Sequence, residues 1–121
     1  PHAALEVIDT CLEKEVVSIP AGMTPTEIVA CHQRGADMIK VFPCSSLGPK
    51  YIKELLAPLD FVSLVPTGGV GLENAAEYLT AGATALGIGG SLIDKELIIG
   101  RKEAEYKQLI ATFYNLTRRL E

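Results

Sequence analysis

The chain has 121 residues, 48% of them apolar and 21% charged, the composition of one globular unit and not of a disordered chain. Eleven basic against fifteen acidic residues leave a net charge of -4, which argues against a nucleic-acid partner. No apolar run approaches the roughly 20 residues that span a bilayer, and no basic-then-apolar leader opens the chain, so no membrane partner and a cytoplasmic setting are expected.

The first predicted element is a helix over Ala4 to Glu15, with Leu5, Val7, Ile8, Cys11 and Leu12 at helical spacing. A β-branched run, Val16 to Pro20, reads as a strand. Thr24-Pro25-Thr26-Glu27 opens a helix: Thr24 caps it, Pro25 suits its first position, and Glu27 completes a capping box. Gly35 ends it. Met38 to Pro43 is the next strand, and Gly48-Pro49 opens a helix stopped by Pro58. Phe61 to Pro66 is a strand, Leu72 to Leu79 a helix closed by Gly82, and Ala83 to Ile88 a strand ending in Gly89-Gly90-Ser91. A long amphipathic helix runs from about Glu103 to Leu120. The order is α, βα, βα, βα, β and a final helix, the signature of a parallel sheet. An open doubly wound sheet and part of a (β/α)8 barrel both fit it. In both, chemistry collects at the C-terminal ends of the strands.

Lys40 stands inside Met38-Ile39-Lys40-Val41-Phe42-Pro43. A lysine within an apolar strand is costly unless paired or neutralised. Alternation places Met38, Lys40 and Phe42 on one face. Two readings fit. Either desolvation favours the neutral, nucleophilic amine that Schiff-base chemistry needs, or the ammonium snorkels to solvent from an edge strand. Pro66-Thr67-Gly68-Gly69 and Gly89-Gly90-Ser91 each follow a strand. Paired glycines let a backbone approach an anion with free N–H groups, but each pair alone also fits a plain tight turn. Thr67 has a hydroxyl for a substrate or for the local backbone. His2 and His32 have no partner at ligand or triad spacing and read as surface or packing residues, and Cys44 reads as a small buried apolar residue. Glu27 reads as a cap. The cysteines, Cys11, Cys31 and Cys44, are odd in number and widely spaced, so neither a disulfide framework nor a zinc site is expected.

Ile39-Lys40-Val41-Phe42-Pro43, Pro66-Thr67-Gly68-Gly69-Val70 and Gly89-Gly90-Ser91 closely resemble the 2-keto-3-deoxy-6-phosphogluconate aldolase family, which includes the 4-hydroxy-2-oxoglutarate aldolases. Ile19 to Glu27 resembles the segment before the family's catalytic strand. The match runs from Pro1 to about Leu92 with the same spacing between motifs. The lysine-strand and PTGG motifs together are specific; the glycine-serine turn alone is not.

The resemblance implies a class I, metal-independent aldolase without a cofactor, on a (β/α)8 barrel that is usually trimeric. It implies that Lys40 is the Schiff-base lysine, Phe42 its aromatic neighbour and Thr67 a substrate contact. Gly68, Gly69, Gly90 and Ser91 match the phosphate site, with Gly89 adjoining it. Pro1 matches the proline that ends the fourth strand and lines the pocket. The family commonly has alanine and glutamate where this chain has Cys44 and Ser45, a departure that bears on the distal part of the substrate.

A complete barrel needs roughly 200 residues or more. Residues 1–121 are therefore expected to be the C-terminal half of one barrel, strands five to eight, beginning where the fourth strand ends. The family's proton-shuttling glutamate and its carboxylate-gripping arginine would lie in the other half. The expected partners are that N-terminal half, as a second chain or a missing segment, a small-molecule 2-keto-3-deoxy acid phosphate, and further copies of the completed barrel. The alternative expectation is a non-catalytic, phosphate-binding half-barrel that serves as an assembly partner.

Overall fold

The computed structural model describes residues 2–118. Its elements are α1 (Leu5–Glu13), α2 (Pro25–Gln33), β1 (Ile39–Val41), α3 (Gly48–Leu56), β2 (Leu64–Pro66), α4 (Ala75–Thr80), α5 (Lys95–Ile99) and α6 (Glu103–Arg118). The capping box forms as its sequence requires: Glu27 N–H donates to Thr24 Oγ1, and the Glu27 carboxylate accepts from Thr24 N–H at 2.8 Å. A bidentate pair from Arg34 to Asp9 ties the end of α2 to α1.

β1 and β2 pair in parallel, Lys40 opposite Val65. Two further segments flank them, also parallel, through the bridges Ala21 to Lys40 and Thr67 to Gly87. The segments thus lie side by side in chain order.

The ladder is shorter than the four predicted strands, for visible reasons. In the first segment Pro20 has no N–H to give, and Ser18 N–H donates to the Asp37 carboxylate at 2.7 Å. In the last, Thr84 N–H reaches Leu64 C=O and Gly87 N–H reaches Pro66 C=O. One extra residue on that side is the geometry of a bulge. Two helix expectations also change. α4 begins at Ala75 instead of Leu72, because the Asn74 side chain is engaged by Gly69 C=O and Gly71 N–H. The one-turn helix α5, capped by Asp94 Oδ1, has no apolar period to announce it. The expected end of α6 at Leu120 lies outside the described residues.

The two faces of this sheet differ. Ile39, Val41 and Leu64 point to one side and are fully buried in the core with Ile28, Ile52 and Tyr78. Lys40, Phe42 and Val65 point to the other. There Val17 and Ile19 remain 63% and 47% exposed. The core thus packs on the first face, whereas on the other Val65 and Ala21 are buried but Val17 and Ile19 lie open to solvent. No helix among the described residues is long and apolar enough to cross a membrane.

Candidate active site

Lys40 sits at the middle of the exposed face, between Ala21 on one side and Val65 on the other. It is half-buried and forms part of the wall of a cavity of about 420 Å3. His2, Ile8, Val17, Ile19 and Pro20 are among the other lining residues, and among the described residues no carboxylate lines it. The Lys40 ammonium lies over the Phe42 ring, 4.8 Å from its centroid. Lys40 therefore does not snorkel from an edge strand; it is flanked on both sides and covers an aromatic face.

The PTGG turn lies against the same ring. Gly68 and Gly69 have φ of 85° and 75°, a region that L side chains rarely adopt. A Cβ on Gly68 would stand 3.0 Å from the Phe42 ring, and one on Gly69 would stand 2.7 Å from Ser45 Cβ. Glycine thus serves backbone geometry and close packing together. The N–H groups of Gly68, Gly69, Gly90 and Ser91 find no acceptor among the described residues. Ser91 Oγ donates to Val70 C=O at 2.9 Å, which joins the second turn to the first. No Cβ added at Gly89 or Gly90 would meet anything within 4 Å.

Thr67 faces the same way as Lys40, its position bridged to Gly87. A Cβ at Gly87 would collide with the Thr67 side chain, so Gly87 makes the room that Thr67 occupies. The sequence reading passed over Gly87, although its glycine falls at the turn-proximal end of a strand. Thr67 Oγ1 donates to Val65 C=O at 3.2 Å, the local-backbone use of the hydroxyl.

Pro1 lies outside the described residues. His2 is exposed, as expected of a surface residue, but it also lines the cavity beside Lys40, and its carbonyl accepts from Ala21 N–H at 3.2 Å. His32 packs on Phe61 with ring centroids 5.0 Å apart. Cys44 is buried; its Sγ–H donates to Val41 C=O at 3.1 Å, and burial pushes its thiol above the ordinary range. The Glu27 carboxyl is held below its ordinary range, first by Thr24 N–H and then by the Thr24 hydroxyl. That fits a cap and not a general base.

Lys40, Phe42 and Thr67 share one sheet face, the Phe42 ring lies against Gly68, and Ser91 ties the second glycine turn to Val70, whereas the cavity that Lys40 lines includes neither Phe42, Thr67 nor either glycine turn. Comparison with known proteins identifies the family. The family model of KDPG and KHG aldolase matches residues 1–110. A 2-dehydro-3-deoxy-6-phosphogalactonate aldolase of Escherichia coli (strain K12) is 36% identical over 93 residues, covering 76% of this chain and 45% of that protein. A 2-dehydro-3-deoxy-phosphogluconate aldolase of Haemophilus influenzae is 32% identical over 107 residues, covering 87% of this chain and 50% of that protein. The chain spans about half the length of these curated relatives. A solved structure described as native KDPGal superposes with a TM-score of 0.83 at 28% identity, covering 98% of this chain and 58% of that one.

Proposed function

Because this chain belongs to the KDPG and KHG aldolase family, we propose that it is the Schiff-base half of a class I aldolase acting on a 2-keto-3-deoxy-6-phospho sugar acid. The observation that carries the reading is the placement of Lys40 over Phe42, on the same sheet face and at the same strand ends as the two glycine turns.

In this reading the Lys40 amine attacks the C2 ketone, and water leaves to give an iminium. A base removes the proton of the C4 hydroxyl, and the C3–C4 bond breaks. Its electron pair flows into the iminium, which becomes an enamine, and glyceraldehyde 3-phosphate departs. Protonation at C3 and hydrolysis then release pyruvate and the free amine. The iminium is the electron sink, so neither a metal nor an organic cofactor is called for. Gly68, Gly69, Gly90 and Ser91 offer N–H groups to the phosphate, with Gly89 beside them and Thr67 toward the sugar chain.

Among the described residues the wall of the cavity beside Lys40 has no carboxylate, so we assign the base to residues outside this chain segment. The same source completes the barrel. Parallel segments in chain order, with the core packed on one face, fit part of a (β/α)8 barrel better than a doubly wound sheet, which is covered on both faces. The occupant proposed for the exposed face is the N-terminal half, on the same polypeptide or a second one, with the completed barrel forming a trimer.

The test is incubation with pyruvate and borohydride, then intact mass and peptide mapping. A pyruvyl adduct on Lys40, lost in Lys40→Ala, supports the aldolase. No adduct in the complete assembly, with inorganic phosphate still bound, favours the non-catalytic phosphate-binding reading.

A further inference from the structure

Lys40 and the PTGG turn belong to different strands, and a substrate held at both ends requires a defined spacing between them. One buried node joins the two strands. Thr67 N–H donates to Val41 C=O at 2.9 Å, and Cys44 N–H donates back to Thr67 C=O at 2.9 Å. Cys44 Sγ–H closes on the same Val41 carbonyl at 3.1 Å. The Cys44 carbonyl accepts from Gly48 N–H at 3.0 Å and from Tyr78 Oη–H at 3.2 Å, the latter across 34 residues. Cys44 and Tyr78 are each 1% exposed. Tyr78 lies on α4, whose preceding residue, Asn74, holds Gly69 C=O and Gly71 N–H. The glycine turn is thus gripped from behind by α4 through Asn74, and α4 is tied by Tyr78 to the loop that follows Lys40. Burial raises both the thiol and the phenol above their ordinary values, so both carry the proton they donate.

We infer that Tyr78 and Cys44 are positioning residues that set the separation between Lys40 and the Thr67-Gly68-Gly69 turn, and so the length of substrate the site accepts. This rests on the aldolase reading above. Neither side chain is placed against the substrate; both act through Val41 and Thr67.

The experiment compares wild type with Tyr78→Phe, Cys44→Ala and Cys44→Ser in the complete assembly. Three quantities are read: borohydride trapping of pyruvate, binding of inorganic phosphate, and steady-state cleavage of the phosphorylated acid. Pyruvate spans only the Lys40 end, so trapping should stay within about twofold of wild type in Tyr78→Phe and Cys44→Ala, while KM for the phosphorylated acid rises about tenfold. Cys44→Ser keeps a donor to the Val41 carbonyl and should restore the wild-type KM. Wild-type KM in both variants overturns the inference. So does parallel loss of trapping and phosphate binding, because the pair then only holds the fold. A wild type that traps no pyruvate defeats the aldolase reading instead. The length claim rests on that reading and falls with it, whereas a wild type that traps pyruvate alongside variants of unchanged KM overturns the length claim alone.

Discussion

The Lys40 ammonium and the Phe42 ring are stacked two residues apart on one strand face, with 4.8 Å between nitrogen and centroid. The same ring covers Gly68, where an added Cβ would stand 3.0 Å away. Phe42 therefore lies between the amine and the glycine turn.

Lys40→Ala should abolish pyruvate trapping. In the complete assembly it should lower kcat for cleavage by at least about a thousandfold, roughly 4 kcal/mol of barrier. Phe42→Leu keeps an apolar cover over Gly68 but removes the ring face. It should cost about 0.5–1 kcal/mol or less in stability and reduce the trapping rate measurably. A trapping rate unchanged in Phe42→Leu would mean the ring does not order the amine.

The two glycine turns should respond oppositely to alanine. Gly69→Ala forces a side chain to φ of 75° and into Ser45, so denaturant unfolding should show a loss of more than about 1 kcal/mol. Gly90→Ala meets nothing within 4 Å and has no left-handed φ. Its stability should stay within about 0.5 kcal/mol of wild type. Inorganic phosphate binding should nevertheless weaken, because the methyl intrudes only when a ligand approaches the backbone. Unaltered phosphate binding in Gly90→Ala would remove this turn from the proposed site.

Asp37 gives the fold an acid-sensitive joint. Ser18 N–H, and then the Ser18 hydroxyl, hold its carboxyl below the ordinary carboxylate value. A lowered folded-state value means the native state resists protonation more than the unfolded chain does. The stabilisation is therefore fully present above the unfolded value near pH 4 and is lost as pH falls through the folded value. Asp37→Asn should flatten the stability profile on the acid side in urea titrations at stepped pH. An identical acid limb in wild type and Asp37→Asn would show that Ser18 does not couple to the charge.

Val17 and Ile19 expose 63% and 47% of their surface on the uncovered face. Ile19→Lys should change the stability of the separate chain by no more than about 0.5 kcal/mol. It should prevent docking of the barrel-completing half, read as loss of the complex in size-exclusion chromatography with light scattering. A complex that forms normally with Ile19→Lys would place the docking surface elsewhere.

Much of the site was legible locally. A lysine at an alternate position in an apolar strand, two glycine pairs after strands, and the Thr24 to Glu27 capping box are short-range patterns with short-range causes. Alternation alone puts Lys40 and Phe42 on one face, and the structure holds them there. The lengths of the outer strands were not legible in this way. They depend on where Ser18 N–H and Gly87 N–H find acceptors, which are partners in other segments.

What the sequence by itself determined is the kind and order of the elements other than α5, and the candidate residues for chemistry, because side-chain period, capping and glycine conformation are properties of neighbours in the chain. Only the tertiary structure decided how those residues are spaced. Tyr78 reaches Cys44 across 34 positions, Ser91 reaches Val70 across 21, and Gly87 yields space to Thr67. No local pattern encodes these contacts. They arise where buried donors, once removed from water, must take whichever acceptor packing brings within reach.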